Sequence, residues 1–128
     1  MNQASFINVD LELSSEKGLS IIAEELKDKI FLLQDEFDGL SYKLAFECSL
    51  TEQEPEPVIE TLIGLLDSLS TQSKALVKSC SSKIMDIGYD SGEEGVLVNN
   101  IPCALLQRIT EYEIDLNITV YPVDKDGK

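Results

Sequence analysis

Histidine and tryptophan are absent from this 128-residue chain, and arginine occurs once, at Arg108. Without histidine the usual general base is gone, and with it the Ser-His and Cys-His nucleophile pairs and most zinc or iron sites. Without tryptophan, and with aromatic residues at only 6%, the chain has little with which to stack a sugar, so the many carboxylates do not point to a glycosidase. A lone arginine leaves little to clamp an anionic substrate. No GxSxG elbow, GxxxxGK[ST] phosphate loop or GxGxxG fingerprint occurs. Together these absences argue against an enzyme and against a bound cofactor.

Other absences bear on location. No apolar run approaches the roughly 20 residues that cross a bilayer. The opening "MNQASFINVDLELSS" has neither a basic n-region nor an apolar signal core, so a cytoplasmic protein away from the membrane is expected. Cys48, Cys80 and Cys103 are odd in number and form no CxxC pair, which suits small buried residues in a reducing compartment better than a disulfide framework.

What the chain has in excess is negative charge. Against 10 basic residues stand 24 acidic ones, a net charge of −14. Such a field repels phosphate backbones and anionic lipid while speeding association with a basic protein. Direct nucleic-acid binding is therefore not expected.

Residues 1–128 read as a single domain with a frayed tail at 124–128, "DKDGK". In "FINVDLELS", Ile7, Val9, Leu11 and Leu13 share one parity and Phe6, Asn8, Asp10 and Glu12 the other, the signature of a strand with one aliphatic face. Ser14 or Ser15 can cap a following helix with Leu19, Ile22, Ala23, Leu26 and Ile30 inward. A hairpin follows: Ile30 to Leu33, a two-residue turn at Asp38-Gly39, then alternation through Tyr42, Leu44, Phe46 and Cys48. Pro57 sits in the first turn of a helix with Ile59, Leu62, Ile63, Leu66 and Leu69 inward, interrupted at "SLSTQS" before another turn or two around Leu76, Val77 and Cys80. A strand at "KIMDIGY" is followed by a helix capped by Asn99 or Asn100, begun by Pro102 and packed through Leu105, Leu106, Ile109 and Tyr112. A last strand alternates Ile114, Leu116, Ile118 and Val120 with polar residues. The order β-α-β-β-α-β with an appended helix and strand predicts an α+β fold, a mainly antiparallel sheet with helices on one face.

The stretch "KIMDIGYDSGEEG" offers Asp86, Asp90, Glu93 and Glu94, but their spacing lacks the alternate acids and closing glutamate of a calcium hand, so no metal site is expected. Asp90 to Gly95 reads instead as an exposed acidic turn. A second acidic region runs from Asp35 to Glu60, where Asp35, Glu36, Asp38, Glu47, Glu52, Glu54, Glu56 and Glu60 face Lys43 alone. The Asp38 turn and the loop with Glu52, Glu54 and Glu56 fall at opposite ends of one strand, which predicts two patches. Glu111, Glu113 and Asp115 form a third cluster. Each alone is an ordinary solvated face; together, at −14, they point to a basic protein partner.

The C-terminal half carries a resemblance. Cys80, Lys83, Asp86, Ile87, Gly88, Tyr89, Asp90 and Gly92, followed by Ile118, Thr119, Tyr121 and Pro122, resemble a motif of small bacterial α/β proteins, Cys-x-x-(Arg or Lys)-x-x-Asp-Ile-Gly-aromatic-(Asp or Glu)-x-Gly before a helix and an I-T-x-Y-P strand. Members occur among the immunity proteins of polymorphic toxin systems, contact-dependent growth inhibition included. The match spans roughly residues 76 to 122. It departs from the pattern at Lys83, where arginine is common, and at Leu76, near which a tryptophan is usual. The resemblance implies that Gly88 and Gly92 serve backbone geometry and that Asp86 accepts from Lys83 or from backbone amides. It carries over no binding residue.

The expected function is that of an immunity protein which blocks a basic toxin domain, a nuclease above all, with carboxylates in place of phosphates. The surface residues expected to meet it are Asp35, Glu36, Asp38, Glu52, Glu54, Glu56, Asp90, Glu93, Glu94, Glu111 and Glu113, with Phe37, Tyr89 and Tyr112 as anchors if exposed. Two other readings stand beside it: an acidic adaptor for another basic protein, and a carboxylate metal enzyme built on Asp86, Asp90, Glu93 and Glu94.

Overall fold

The computed structural model describes residues 3–123, so the expected fraying of 124–128 lies outside the described residues. Within them the elements run β1 (Ser5–Ser15), α1 (Ser20–Leu26), β2 (Ile30–Phe37), β3 (Tyr42–Cys48), α2 (Pro55–Asp67), α3 (Thr71–Ser79), β4 (Ser82–Asp90), α4 (Cys103–Glu111) and β5 (Asp115–Tyr121). The strands form one sheet in the order β2-β3-β1-β4-β5. Every neighbouring pair is antiparallel except β4 and β5, which run parallel. The fold is α+β, with the helices on one face of the sheet, as the periodicity predicts.

The core follows from strand parity. Val9, Leu11 and Leu13 of β1, Leu44, Phe46 and Cys48 of β3, and Met85 and Ile87 of β4 all turn toward the helices. They meet Ile22 and Leu26 of α1, Val58, Ile59, Leu62, Ile63 and Leu66 of α2, Val77 of α3, and Leu105 and Ile109 of α4. Two cysteines, Cys48 and Cys80, are buried, and burial pushes both thiols up from their ordinary value. Cys103 is exposed at the start of α4, against the expectation of burial, because it lies off the Leu105–Ile109 stripe that meets the core.

Several local expectations are corrected. The ladder of β1 slips between Phe6 and Asn8, so Ile7 is an extra residue in the strand and the parity reverses there. Ile7 is therefore exposed, and Phe6 turns to the core side to meet Tyr89 edge-on, with ring centroids 6.0 Å apart. Neither Ser14 nor Ser15 caps α1. The strand continues through both, Ser15 Oγ accepts from the Lys17 amide, and the helix begins only after buried Leu19. The hairpin closes on four residues rather than two, since Phe37 pairs with Tyr42 and the Asp38 carboxylate accepts from the amides of Leu40 and Ser41 at 2.9 and 2.8 Å. Helix α2 starts at Pro55 and holds Pro57 in its first turn, as expected. Pro102 itself, not an asparagine, occupies the N-cap of α4 and gives no side-chain cap. Leu106 of that helix is exposed.

The break between α2 and α3 is held from outside. Ser70 caps α3 by accepting from the Ser73 amide at 3.1 Å. The Glu25 carboxylate of α1 accepts in turn from the Ser70 amide and hydroxyl, each at 2.8 Å, and from the Ser73 hydroxyl. Those bonds, the Ser70 amide first, hold the Glu25 carboxyl below its ordinary value. Asp67 at the end of α2 ties α4 down by accepting from Arg108 and from the Tyr112 hydroxyl. Burial, then the bond to Asp67, pushes the Tyr112 phenol up; Tyr112 is a core residue and not a surface anchor.

Candidate functional site

With the helices gathered on one face, the other face of the sheet has no layer of helix over it among the described residues, and polar side chains stand there beside Phe31, Ala45 and Ile84. Asn8, Asp10 and Glu12 of β1, Lys43 and Glu47 of β3, Asp86 of β4 and Thr119 of β5 occupy it. Asp10 pairs directly with Asp86 across the β1–β4 ladder, and Glu12 with Ala45 and Ile84. The Asn8 amide nitrogen bridges β1 and β3, donating to Glu47 at 3.1 Å and toward Asp10 at 3.3 Å. Thr119 donates to Asp86 at 2.7 Å. Gly88 leaves room for this arrangement, because a Cβ there would stand 2.7 Å from Asn8 Oδ1. Lys43 is turned aside, donating to Ser14 Oγ at 3.0 Å.

Four carboxylates stand together on adjoining strands. Asp10, half-buried at their centre, has its carboxyl pushed up to about 7, first by burial and then by a hydrogen bond with Glu47 and by the charges of Glu47, Asp86 and Glu12. Near neutral pH this face therefore shares a proton at Asp10.

Asp86 belongs to this face and not to the Asp90–Gly95 turn. It accepts from Thr119, whereas Lys83, which the resemblance placed as its donor, points to the helix side and gives its ammonium to the Lys78 carbonyl at 3.2 Å. The strand period decides the matter, since residues three apart lie on opposite faces. Gly92 has the positive φ of +64° that the motif implies. Among the described residues no group of three or more acids or cysteines is arranged to hold a metal ion.

The surface residues singled out in the sequence fall at the two ends of the sheet. Glu52, Glu54 and Glu56 precede and open α2, at the end where β4 finishes with Asp90 and runs on to Glu93 and Glu94. Asp90 accepts from the Gly92 amide at 3.2 Å, and the strandlike bridge of Gln3 to Glu94 holds that loop beside β1. At the other end lie Asp38, beside β2 residues Asp35 and Glu36, and, on the opposite edge, Glu111 and Glu113 just before β5. Asp35 accepts from Ser20 and Glu36 from Gln34. Asp38 is engaged in building its own turn, and the Ser41 and Leu40 amides hold its carboxyl below the ordinary value. The two patches expected on either side of β3 are both present, and Phe37 is exposed against Tyr42 while Tyr89 is half-buried.

The acids on the uncovered face, Asp10, Glu12 and Glu47, were not among the expected contact residues. The signal was present as the second parity of the strands, in Asn8, Asp10 and Glu12 of β1 and Asp86 of β4, but parity alone does not say which face lacks a covering layer. The chain matches no family model, no curated protein and no solved structure.

Proposed function

We propose that this protein is an immunity protein that binds and neutralises a basic toxin domain, with a nuclease as the favoured class. The observation that carries the reading is the uncovered sheet face, where Asp10, Glu12, Glu47 and Asp86 stand on three adjoining strands with acidic loops at both ends. A nuclease groove must be positive to hold its substrate, so a rigid acidic plate competes for it and arrives quickly under electrostatic steering. Strands hold carboxylates more firmly than loops do, which limits the ordering cost on binding. A lysine or arginine arriving beside Asp10 favours the ionised carboxyl and displaces the shared proton. The reading requires no catalysis by this chain. The resemblance in residues 76 to 122 and the net charge of −14 support it.

The test is co-expression with the polypeptide encoded immediately upstream, capture through this chain and a growth-rescue assay. Capture of a basic toxin fragment with restored growth is expected. Capture of a housekeeping protein without rescue would leave the adaptor reading in its place.

A further inference from the structure

The sheet ends in two edges that differ in how they meet solvent. Edge strands expose unpaired N–H and C=O groups and invite another strand unless charge, proline, a bulge or a covering element prevents it. β2 is guarded: its ladder with β3 slips between Leu32 and Gln34, and exposed Asp35 and Glu36 follow at once. β5 is not. Its register runs unbroken from Asp115 opposite Ile84 to Tyr121 opposite Asp90, and between those two residues lie Leu116, Asn117, Ile118, Thr119 and Val120, with no charge and no proline.

Backbone direction can be read from one bond. The Ser91 amide donates to the Tyr121 carbonyl at 2.9 Å, so Tyr121 turns its polar groups toward β4. Alternation then turns the N–H and C=O of Leu116, Ile118 and Val120 outward. Their side chains lie on the helix side of the sheet, paired with Met85, Ile87 and Tyr89, yet they are 37%, 68% and 58% exposed. Leu97 stands beside Ile118 and Val120 and extends this apolar strip. Acids close both ends: Glu111, Glu113 and Asp115 before the strand, Asp90, Glu93 and Glu94 beyond it.

We infer that β5 is the docking edge of this protein, accepting from its basic partner an extended segment that adds as a sixth strand, apolar at alternate positions and flanked by lysine or arginine. The inference rests on the reading of a basic partner and adds an edge contact to the acidic face described above. Main-chain bonds to Leu116, Ile118 and Val120 supply pairing, the strip of Ile118, Val120 and Leu97 receives alternate apolar side chains, and the terminal acids select for basic flanks. A second copy of this chain fits the edge less well, because it would bring −14 against −14.

The probe is a fluorescein-labelled peptide in which valine alternates with threonine between paired lysines. Its controls are a scramble of the same composition and a version with glutamate in place of lysine. By fluorescence anisotropy with the full chain, the alternating basic peptide should bind, the scramble at least about tenfold more weakly, a difference of about 1.4 kcal/mol, and the acidic version not at all. Ile118→Pro removes one outward N–H and should weaken binding by about tenfold or more. Ile118→Lys keeps the N–H and should weaken it similarly, which covers the case in which proline unfolds the strand. Equal binding of the scramble, or variants that bind like wild type, would overturn the edge and leave the basic-partner reading standing as diffuse attraction. Absence of peptide binding overturns the edge as well. A dimer in light scattering that Ile118→Lys abolishes would assign the edge to a second copy and overturn the proposal. The basic-partner reading fails separately, if wild type captures no basic protein.

Discussion

Burial and the neighbouring carboxylates push the Asp10 carboxyl up to about 7. The folded chain holds the Asp10 proton up to about pH 7, the unfolded chain only to its ordinary 3.8, so this residue makes stability fall as pH rises between about 4 and 7. Glu25 and Asp38 act in the opposite sense: their carboxyls are held below the ordinary values of 4.5 and 3.8, so their contribution is lost only as pH falls below that range. The thermal midpoint should rise on going from pH 8 to pH 5 and fall again below about pH 4. Asp10→Asn should raise the midpoint at pH 8 and flatten the upper limb; an unchanged limb in scanning calorimetry would place the proton elsewhere. A second residue-scale prediction concerns Gly92. A Cβ there would fall 2.2 Å from the Ala4 amide nitrogen, on a backbone already at positive φ. Gly92→Ala should cost at least about 2 kcal/mol in denaturant unfolding.

At the scale of elements, α3 depends on a cap that another helix braces. Ser70→Ala removes the acceptor for the Ser73 amide and a donor to Glu25, and should cost about 1 kcal/mol by denaturant titration. The strands and helices were largely legible because alternation and helical spacing act locally: Leu44, Phe46 and Cys48, or Leu62, Ile63 and Leu66, declare a face without reference to the rest of the chain. What escaped was set by partners. The reversal of Phe6 and Ile7 depends on a bulge against β4, and the four-residue closure at Asp38 on a carboxylate reaching two amides. Leu116, Ile118 and Val120 alternate with polar residues like an inward stripe, but alternation does not reveal that β5 is an edge, where they lie exposed. Of the expected contact residues, Asp38, Glu52, Glu54, Glu93, Glu94 and Glu113 lie in loops, while Asp35, Glu36, Glu56, Asp90 and Glu111 stand on strands or helices; the acids of β1, β3 and β4 needed knowledge of which face stays uncovered.

Across the whole molecule, the charge should be felt in association kinetics. Changing Glu52, Glu54 and Glu56 together to lysine, or Asp90, Glu93 and Glu94 in the same way, should slow binding to the proposed basic partner and flatten its salt dependence. Stopped-flow rates across a salt series check this, and a triple variant that associates like wild type removes its loop from the approach path. β1 has a further consequence, for synthesis. It is the first strand made and the central strand of the finished sheet, flanked by β3 and β4, of which β4 ends only at Asp90. At ordinary translation speeds its second neighbour emerges on the order of ten seconds later. Throughout that interval Val9, Leu11 and Leu13 have no complete wall to pack against, while Asp10 and Glu12 between them keep the nascent segment soluble. A chain halted after Cys48 lacks β4 and should stay open to protease.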